Sequence, residues 1–187
     1  MTIHNIFMPK NTYDDGDENR YMLSNLWLLD DKFMSYVQAF SDISIKNISM
    51  NKQGEVEKDI PGILHRPDLS LFYSNSSDGT KNVVMVELKG TNADKDEKRK
   101  AITELPDDIS ILRKALNETP NIIWGYIITS VDSEFEESLD NQDYKPLFTS
   151  SGSSKIFYGY YEKVNAHIYV LDYRLFVKMH LQETKHS

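Results

Sequence analysis

A mixed α/β fold, one β-sheet with helices packed against it, is what this sequence predicts, and three observations predict it. Two continuous apolar runs of strand length, "VVMV" at 83–86 and "NIIWGYIIT" at 121–129, read as buried strands. Stretches with apolar residues at threes and fours alternate with them and read as amphipathic helices. Short clusters of Gly, Asn, Asp and Ser separate the two kinds of segment. The expected order is helix, three strands, helix, strand, a strand pair and a last helix, an α/β (α+β) sandwich around a mixed sheet with a central hairpin.

Residues 9–19, "PKNTYDDGDEN", form a polar, acidic lead-in. From Arg20 to about Gln38 the apolar positions Tyr21, Leu23, Leu26, Trp27, Leu29, Phe33, Met34 and Val37 recur at helical spacing, with Asp17 or Asn19 as the cap. "ISIKNISM" (43–50) alternates and reads as a strand, and "NKQGEVEKDIPG" as turn and loop. "PDLSLFY" (67–73) alternates again, and "SNSSDGTKN" turns the chain into "VVMVELK". The charged stretch "TNADKDEKRK" reads as solvated, and its basic cluster at 95–100 as a solvated helix start rather than a contact to a phosphate backbone. Ile102, Leu105, Ile109, Leu112 and Leu116 then mark a helix in which Pro106 predicts a kink or a fresh start. Residues 132–154 are acidic and then serine-rich, mostly loop. "KIFYGYY" and "AHIYVLDY" form an antiparallel hairpin, and "DYRLFVKMHLQ" a closing helix with Asp172 as N-cap.

At 187 residues the chain is one domain in size, and its 40% hydrophobic and 27% charged composition is that of a soluble globular protein. A net charge of −8 argues against strong unaided binding to nucleic acid. The absence of cysteine excludes disulfides and thiolate zinc sites. The start, "MTIHNIFMPK", lacks the pattern of a signal peptide, and no run approaches the roughly 18 apolar residues of a membrane span. The expected location is cytoplasmic, with no membrane partner. There is no internal repeat, phosphate loop or H-E-x-x-H pair, and the five histidines lack zinc-ligand spacing.

The chemistry concentrates in the middle of the chain. Glu87 and Lys89 lie two apart on a strand and therefore share a face. Pairing back from the turn at 75–82 brings Asp68 to the end where they lie, at one edge of the sheet. Two converging carboxylates can hold a hard divalent cation, Mg²⁺ or Mn²⁺, that keeps several waters. Such an ion activates bound water, and a neighbouring lysine stabilises charge on a phosphoryl oxygen. Each group also has a plainer role. Asp68 after Pro67 suits a turn, Glu87 and Lys89 suit an ion pair at a half-exposed strand end, and an acid near a helix N-terminus suits the helix dipole. The aromatic "FYGYY" and "HIYVLDY" read as half-buried sheet residues rather than base-stacking faces. His65 and Arg66 sit just before Pro67, within reach of the site or merely on a surface loop.

"RPDLSLF" followed by "VVMVELKG" resembles the signature of the PD-(D/E)xK nuclease superfamily, Pro67-Asp68 matching its first half and Glu87-Leu88-Lys89 its second. "DENRYMLSNLWLLDDKF", "IIWGYIIT" and "YGYYEKVNAHIYVLDYRLFV" are similar to further segments of one branch, the nuclease-like domains at the C-terminal end of larger GHKL-type ATPases. The resemblance spans residues 15–187, leaving 1–14 as an N-terminal extension. It implies a restriction-endonuclease-like mixed sheet flanked by helices, and metal-dependent hydrolysis of phosphodiesters, DNA rather than RNA. It implies Asp68, Glu87 and the Leu88 carbonyl as metal ligands, Lys89 as the water-positioning and charge-stabilising group, and Glu18 as an assisting acid with Asp17 as substitute. Many relatives carry a glutamine on the helix after the E-x-K strand, where Glu104 aligns here. A partner protein, an ATPase domain or self-association into a homodimer would deliver substrate, and the chain is expected to be an excised domain or a short protein with separate partners. A noncatalytic module, nuclease-like in fold and used for dimerisation or for docking nucleic acid or protein, is the alternative.

Overall fold

The computed structural model describes residues 7–15, 36–56, 59–74, 81–117, 120–147 and 155–175. Eight strands form one sheet in the order β1-β2-β3-β4-β5-β8-β7-β6. They are β1 (Thr12–Asp14), β2 (Gln38–Ser41), β3 (Leu69–Ser74), β4 (Lys81–Leu88), β5 (Ile122–Thr129), β6 (Lys145–Leu147), β7 (Ile156–Tyr161) and β8 (Ala166–Asp172). Among the described residues three α-helices with both ends defined accompany them: α1 (Ile45–Gln53), α2 (Lys95–Ala115) and α3 (Ser133–Asp140). The sheet is mixed. β4, β5 and β8 run parallel at its centre, and every other pairing is antiparallel. The predicted α/β class is the observed one.

Alternation along the central strands sorts their side chains onto two faces. Val83 and Met85 of β4, Ile123 and Ile127 of β5, and Ile168 and Val170 of β8 point to one face. There they join Ala101, Ile102, Leu105, Ile109 and Leu112 of α2, with Ile45 and Ile48 of α1 and Phe135 and Leu139 of α3. On the other face Leu69, Leu71, Val84, Val86 and Ile128 pack with Phe7, Met8 and Tyr36. Trp124, Tyr126, Tyr169 and His167 form a stacked row on that second face; Tyr158, Tyr161, Tyr169 and Tyr173 are half-buried as read, whereas Tyr160 is exposed. Among the described residues no helix is long and apolar enough to cross a membrane.

Both predicted hairpins are present, with Leu69 opposite Val86 in the first and Tyr161 opposite Ala166 in the second. Four local expectations are corrected. "ISIKNISM" is not a strand but the start of α1. Ser44 caps it by accepting from Asn47 N at 3.3 Å, Gly54 ends it at φ +82°, and its buried positions Ile45, Ile48 and Ser49 follow helical spacing. Val37 and Gln38 are not helical, and Gln38 opens β2. The described part of the 132–154 stretch, residues 132–147, is not mostly loop, since it holds α3 and β6. Asp132 caps α3 through Phe135 N at 2.9 Å.

The fourth correction concerns Pro106, at which no fresh helix starts, since α2 runs continuously through it. α2 begins eleven residues earlier, at Lys95, within the stretch read as solvated. A capping box starts it: Asp94 accepts from Glu97 N, and Glu97 accepts from Asp94 N. Buried residues on both sides of Pro106 press the helix onto the sheet, and that packing outweighs one lost backbone hydrogen bond. Thr12–Asp14, placed in the N-terminal extension by sequence, pair with β2 as an edge strand. The closing helix is described only at Arg174 and Leu175, where Asp172 accepts from Arg174 N at 2.9 Å. The rest of it, and the predicted helix from Arg20 up to residue 35, lie outside the described residues.

Candidate active site

Asp68, Glu87 and Lys89 meet where β3 begins and β4 ends. Continuing the β3–β4 register one step past Leu69 and Val86 sets Asp68 opposite Glu87. Cβ atoms so paired lie roughly 4.5–5.5 Å apart. Alternation turns Glu87 and Lys89 to the face that carries Val83 and Met85, beneath α2. Leu88, between them, buries its side chain in the opposite cluster, so only its backbone belongs to the site. β3 and β4 are interior strands, so the site lies at the strand-end edge of the sheet and not at a lateral one.

The contacts are short. Lys89 Nζ lies 2.8 Å from Glu87 Oε1 and 3.3 Å from Glu104 Oε2. Glu104 Oε1 in turn lies 3.0 Å from Lys100 Nζ, one helical turn earlier on α2. Asp68 Oδ2 accepts a hydrogen bond from Leu88 N at 2.6 Å, which holds the first carboxylate against the backbone of the E-x-K strand. Both plainer readings are thus realised in part: Asp68 bonds backbone, and Glu87 pairs with Lys89. The pair is only 12% and 19% exposed, however, so it is not a solvated surface bridge.

Electrostatics set this cluster apart. Burial, reinforced by the neighbouring Asp68 carboxylate, pushes Glu87 up to about 7 against the pull of Lys89. Burial disfavours the charged Lys89 ammonium, but its bond to Glu87 and the charges of Glu87 and Glu104 outweigh it and raise its pKa. Glu104 is also opposed by burial, yet Lys100 and Lys89 hold it below the usual carboxylate range. Strand-end carboxylates that repel each other, beside a fixed cation, are the arrangement in which pKa values part and function concentrates.

Two carboxylates across one register step offer hard oxygen donors suited to a Mg²⁺ that keeps most of its waters, so the residues fit such an ion. Among the described residues no group of three or more His, Asp or Glu side chains is arranged to hold a metal. Glu18 and its substitute Asp17 lie outside the described residues. The basic cluster at 95–100 follows its plainer reading as a helix start, for Lys95 pairs with Glu134, Lys98 with Asp132 and Lys100 with Glu104.

The sequence missed how Glu104 takes part. Its carboxylate bridges two lysines, a role that depends on where α2 crosses β4. The sequence sets His65 either within reach of the site or on a surface loop, and the structure bonds its Nδ1 to Asp108 Oδ1 at 2.9 Å. No family model, curated protein or solved structure matches this chain.

Proposed function

We propose that this chain is a metal-dependent nuclease that hydrolyses phosphodiester bonds, in DNA rather than RNA, and that it is a PD-(D/E)xK-type domain. The observation that carries the reading is the juxtaposition of Asp68 and Glu87 across the β3–β4 register, with Lys89 held 2.8 Å from Glu87. Asp68 and Glu87, with the Leu88 carbonyl, would hold Mg²⁺ or Mn²⁺. The ion, when bound, supplies water activation and neutralises phosphoryl charge. Lys89, steadied by Glu87 and Glu104, presents its ammonium to a phosphoryl oxygen and to the attacking water. The Leu88 N–H orients Asp68, so that carboxylate needs little rearrangement to bind. Glu18 is the proposed assisting acid. A cytoplasmic setting, and a partner protein, ATPase domain or second copy that delivers DNA, belong to the same proposal.

A noncatalytic docking module is the second reading, and Glu104 favours it. This carboxylate occupies the Lys89 ammonium and adds negative charge where phosphate would sit. Incubating plasmid, single-stranded DNA and RNA with Mg²⁺ or Mn²⁺ separates the two. Cleavage that EDTA abolishes, and that Asp68→Ala, Glu87→Gln and Lys89→Ala each lower by about 10²-fold or more, is the expected result. Full activity in all three variants, or cleavage that resists EDTA, would refute the mechanism. No cleavage of any substrate by the wild type would leave the docking module.

A further inference from the structure

His65 and Asp108 are 43 residues apart in sequence and meet on the helix-covered face of the sheet. Asp108 is buried on α2, its side chain 8% exposed, while the His65 side chain is 57% exposed. An ionised Asp108 can only accept, which fixes a proton on Nδ1 and leaves Nε2 as the nitrogen able to exchange a proton with a substrate. A buried carboxylate that orients an accessible imidazole through Nδ1 is an arrangement suited to general acid–base work.

The loop that carries His65 is pinned. His65 N donates to Gly62 O at 2.8 Å, and His65 O accepts from Ile45 N at the start of α1 at 2.9 Å. Gly62 adopts φ +80°, and a Cβ there would lie 2.5 Å from Ile111 Cδ1 on α2, so the turn sits hard against the helix. The loop backbone is therefore fixed, and the imidazole is tied to α2 through Asp108.

Its position relates it to the nuclease cluster. His65 stands three residues before Asp68 on the chain. Asp108 stands four after Glu104 on α2, a spacing that sets side chains on one face roughly 5–6 Å apart at Cβ. The Glu104 carboxylate, which contacts Lys89, is also close enough to act on Asp108 electrostatically. Asp108 thus lies one helical turn from Glu104 on α2, and His65 lies in the loop that leads into Asp68 and β3.

We infer that His65 is the general acid of the phosphodiester hydrolysis proposed above, giving its Nε2 proton to the leaving sugar oxygen, with Asp108 as its positioning residue. This rests on the nuclease reading. As water oxygen bonds to phosphorus, the bond from phosphorus to the leaving oxygen breaks and its electron pair stays on that oxygen. The Nε2 proton neutralises it, the water's proton passes to solvent, and the imidazole is reprotonated from solvent. Lys89 serves the attacking side of phosphorus and His65 the departing side.

A leaving group that needs no proton tests this. DNA oligonucleotides with sulfur replacing the bridging 3′ or 5′ oxygen at one bond are compared with the all-oxygen strand, in Mn²⁺, for wild type, His65→Ala, Asp108→Asn and Lys89→Ala. His65→Ala should lose about 10²-fold or more on oxygen and stay within about tenfold of wild type on the sulfur strand whose leaving atom was replaced. Asp108→Asn should follow the same pattern more weakly, while Lys89→Ala should be impaired on both. Anisotropy measurements with Ca²⁺ should show DNA binding unchanged in His65→Ala. Equal losses on oxygen and sulfur, no loss at all, or weakened binding in proportion to rate would overturn the role of His65 while the nuclease reading stands. A wild type that cleaves none of these strands would overturn both.

Discussion

Glu87 carries the sharpest consequence at the scale of single residues, because its burial sets function against stability. Its folded-state pKa of about 7 lies above the ordinary 4.5, so the folded protein binds a proton that the unfolded chain has already released. Folding is therefore least penalised below about 4.5, loses stability as pH rises through that window to about 7, and keeps the loss above it. The loss is on the order of 1–3 kcal/mol. Glutamine mimics the neutral acid. Urea unfolding should show Glu87→Gln more stable than wild type at pH 8 and equal to it near pH 4.5, despite its loss of cleavage. Mg²⁺ should narrow the gap by stabilising the wild type at pH 8, about 1.4 kcal/mol at tenfold excess over Kd, and leave Glu87→Gln unmoved. A variant no more stable than wild type at pH 8 would mean that Glu87 is not under strain.

At the scale of elements, α2 decides whether a site exists. It carries Glu104 and Asp108 and lies over β4 and β5, so its distance from the sheet sets where both carboxylates reach. Gly125 of β5 permits the close approach. A Cβ there would stand 3.1 Å from both Leu105 Cδ2 on α2 and Ile168 Cγ1 on β8. Gly125→Val should force the helix outward, destabilise the fold by about 1–3 kcal/mol, and lower cleavage although it touches no site residue. Thermal unfolding together with DNA digestion checks both effects. A variant with unchanged melting and activity would show that α2 has room to spare. The second clamp on α2 is ionic: buried Lys98 reaches Asp132, the cap of α3, at 2.5 Å, and ties the two helices together.

At the scale of the whole molecule, acid outweighs base, and several described cations are paired within the chain. Acids outnumber bases 29 to 21, and Lys89, Lys95, Lys98, Lys100, Lys155 and Arg174 are all paired with acids of the same chain. A net charge of −8 opposes the approach of phosphates, and counterion release from phosphate contacts supplies most nonspecific affinity. The isolated chain should therefore bind DNA with Kd no tighter than about 10⁻⁵ M near physiological salt. A partner, or self-association that joins two sites, should speed cleavage by raising the effective concentration of substrate. Fluorescence anisotropy at about 0.15 M salt measures it. Tight binding by the lone monomer would reveal a basic groove that the overall charge conceals.

Strand pattern, hairpin turns and the Asp68, Glu87 and Lys89 set were legible in the sequence because each depends on neighbours in the chain or on one hairpin. Period-two alternation puts Glu87 and Lys89 on one face wherever the strand goes, and a turn near 75–82 pairs Asp68 with Glu87 by counting back. α1 and α3 were legible too, through Ser44 with Gly54 and through Asp132, but their short apolar stripes imitate alternation or loop. What no local pattern holds is the passage of α2 over β4. Only packing brings Glu104 to Lys89 across fifteen residues and Asp108 to His65 across forty-three. Those contacts depend on the crossing and height of a helix, which long-range burial sets. The charged strand end was therefore written in the sequence, while the carboxylate that shares its lysine and the imidazole beside it exist only in the folded chain.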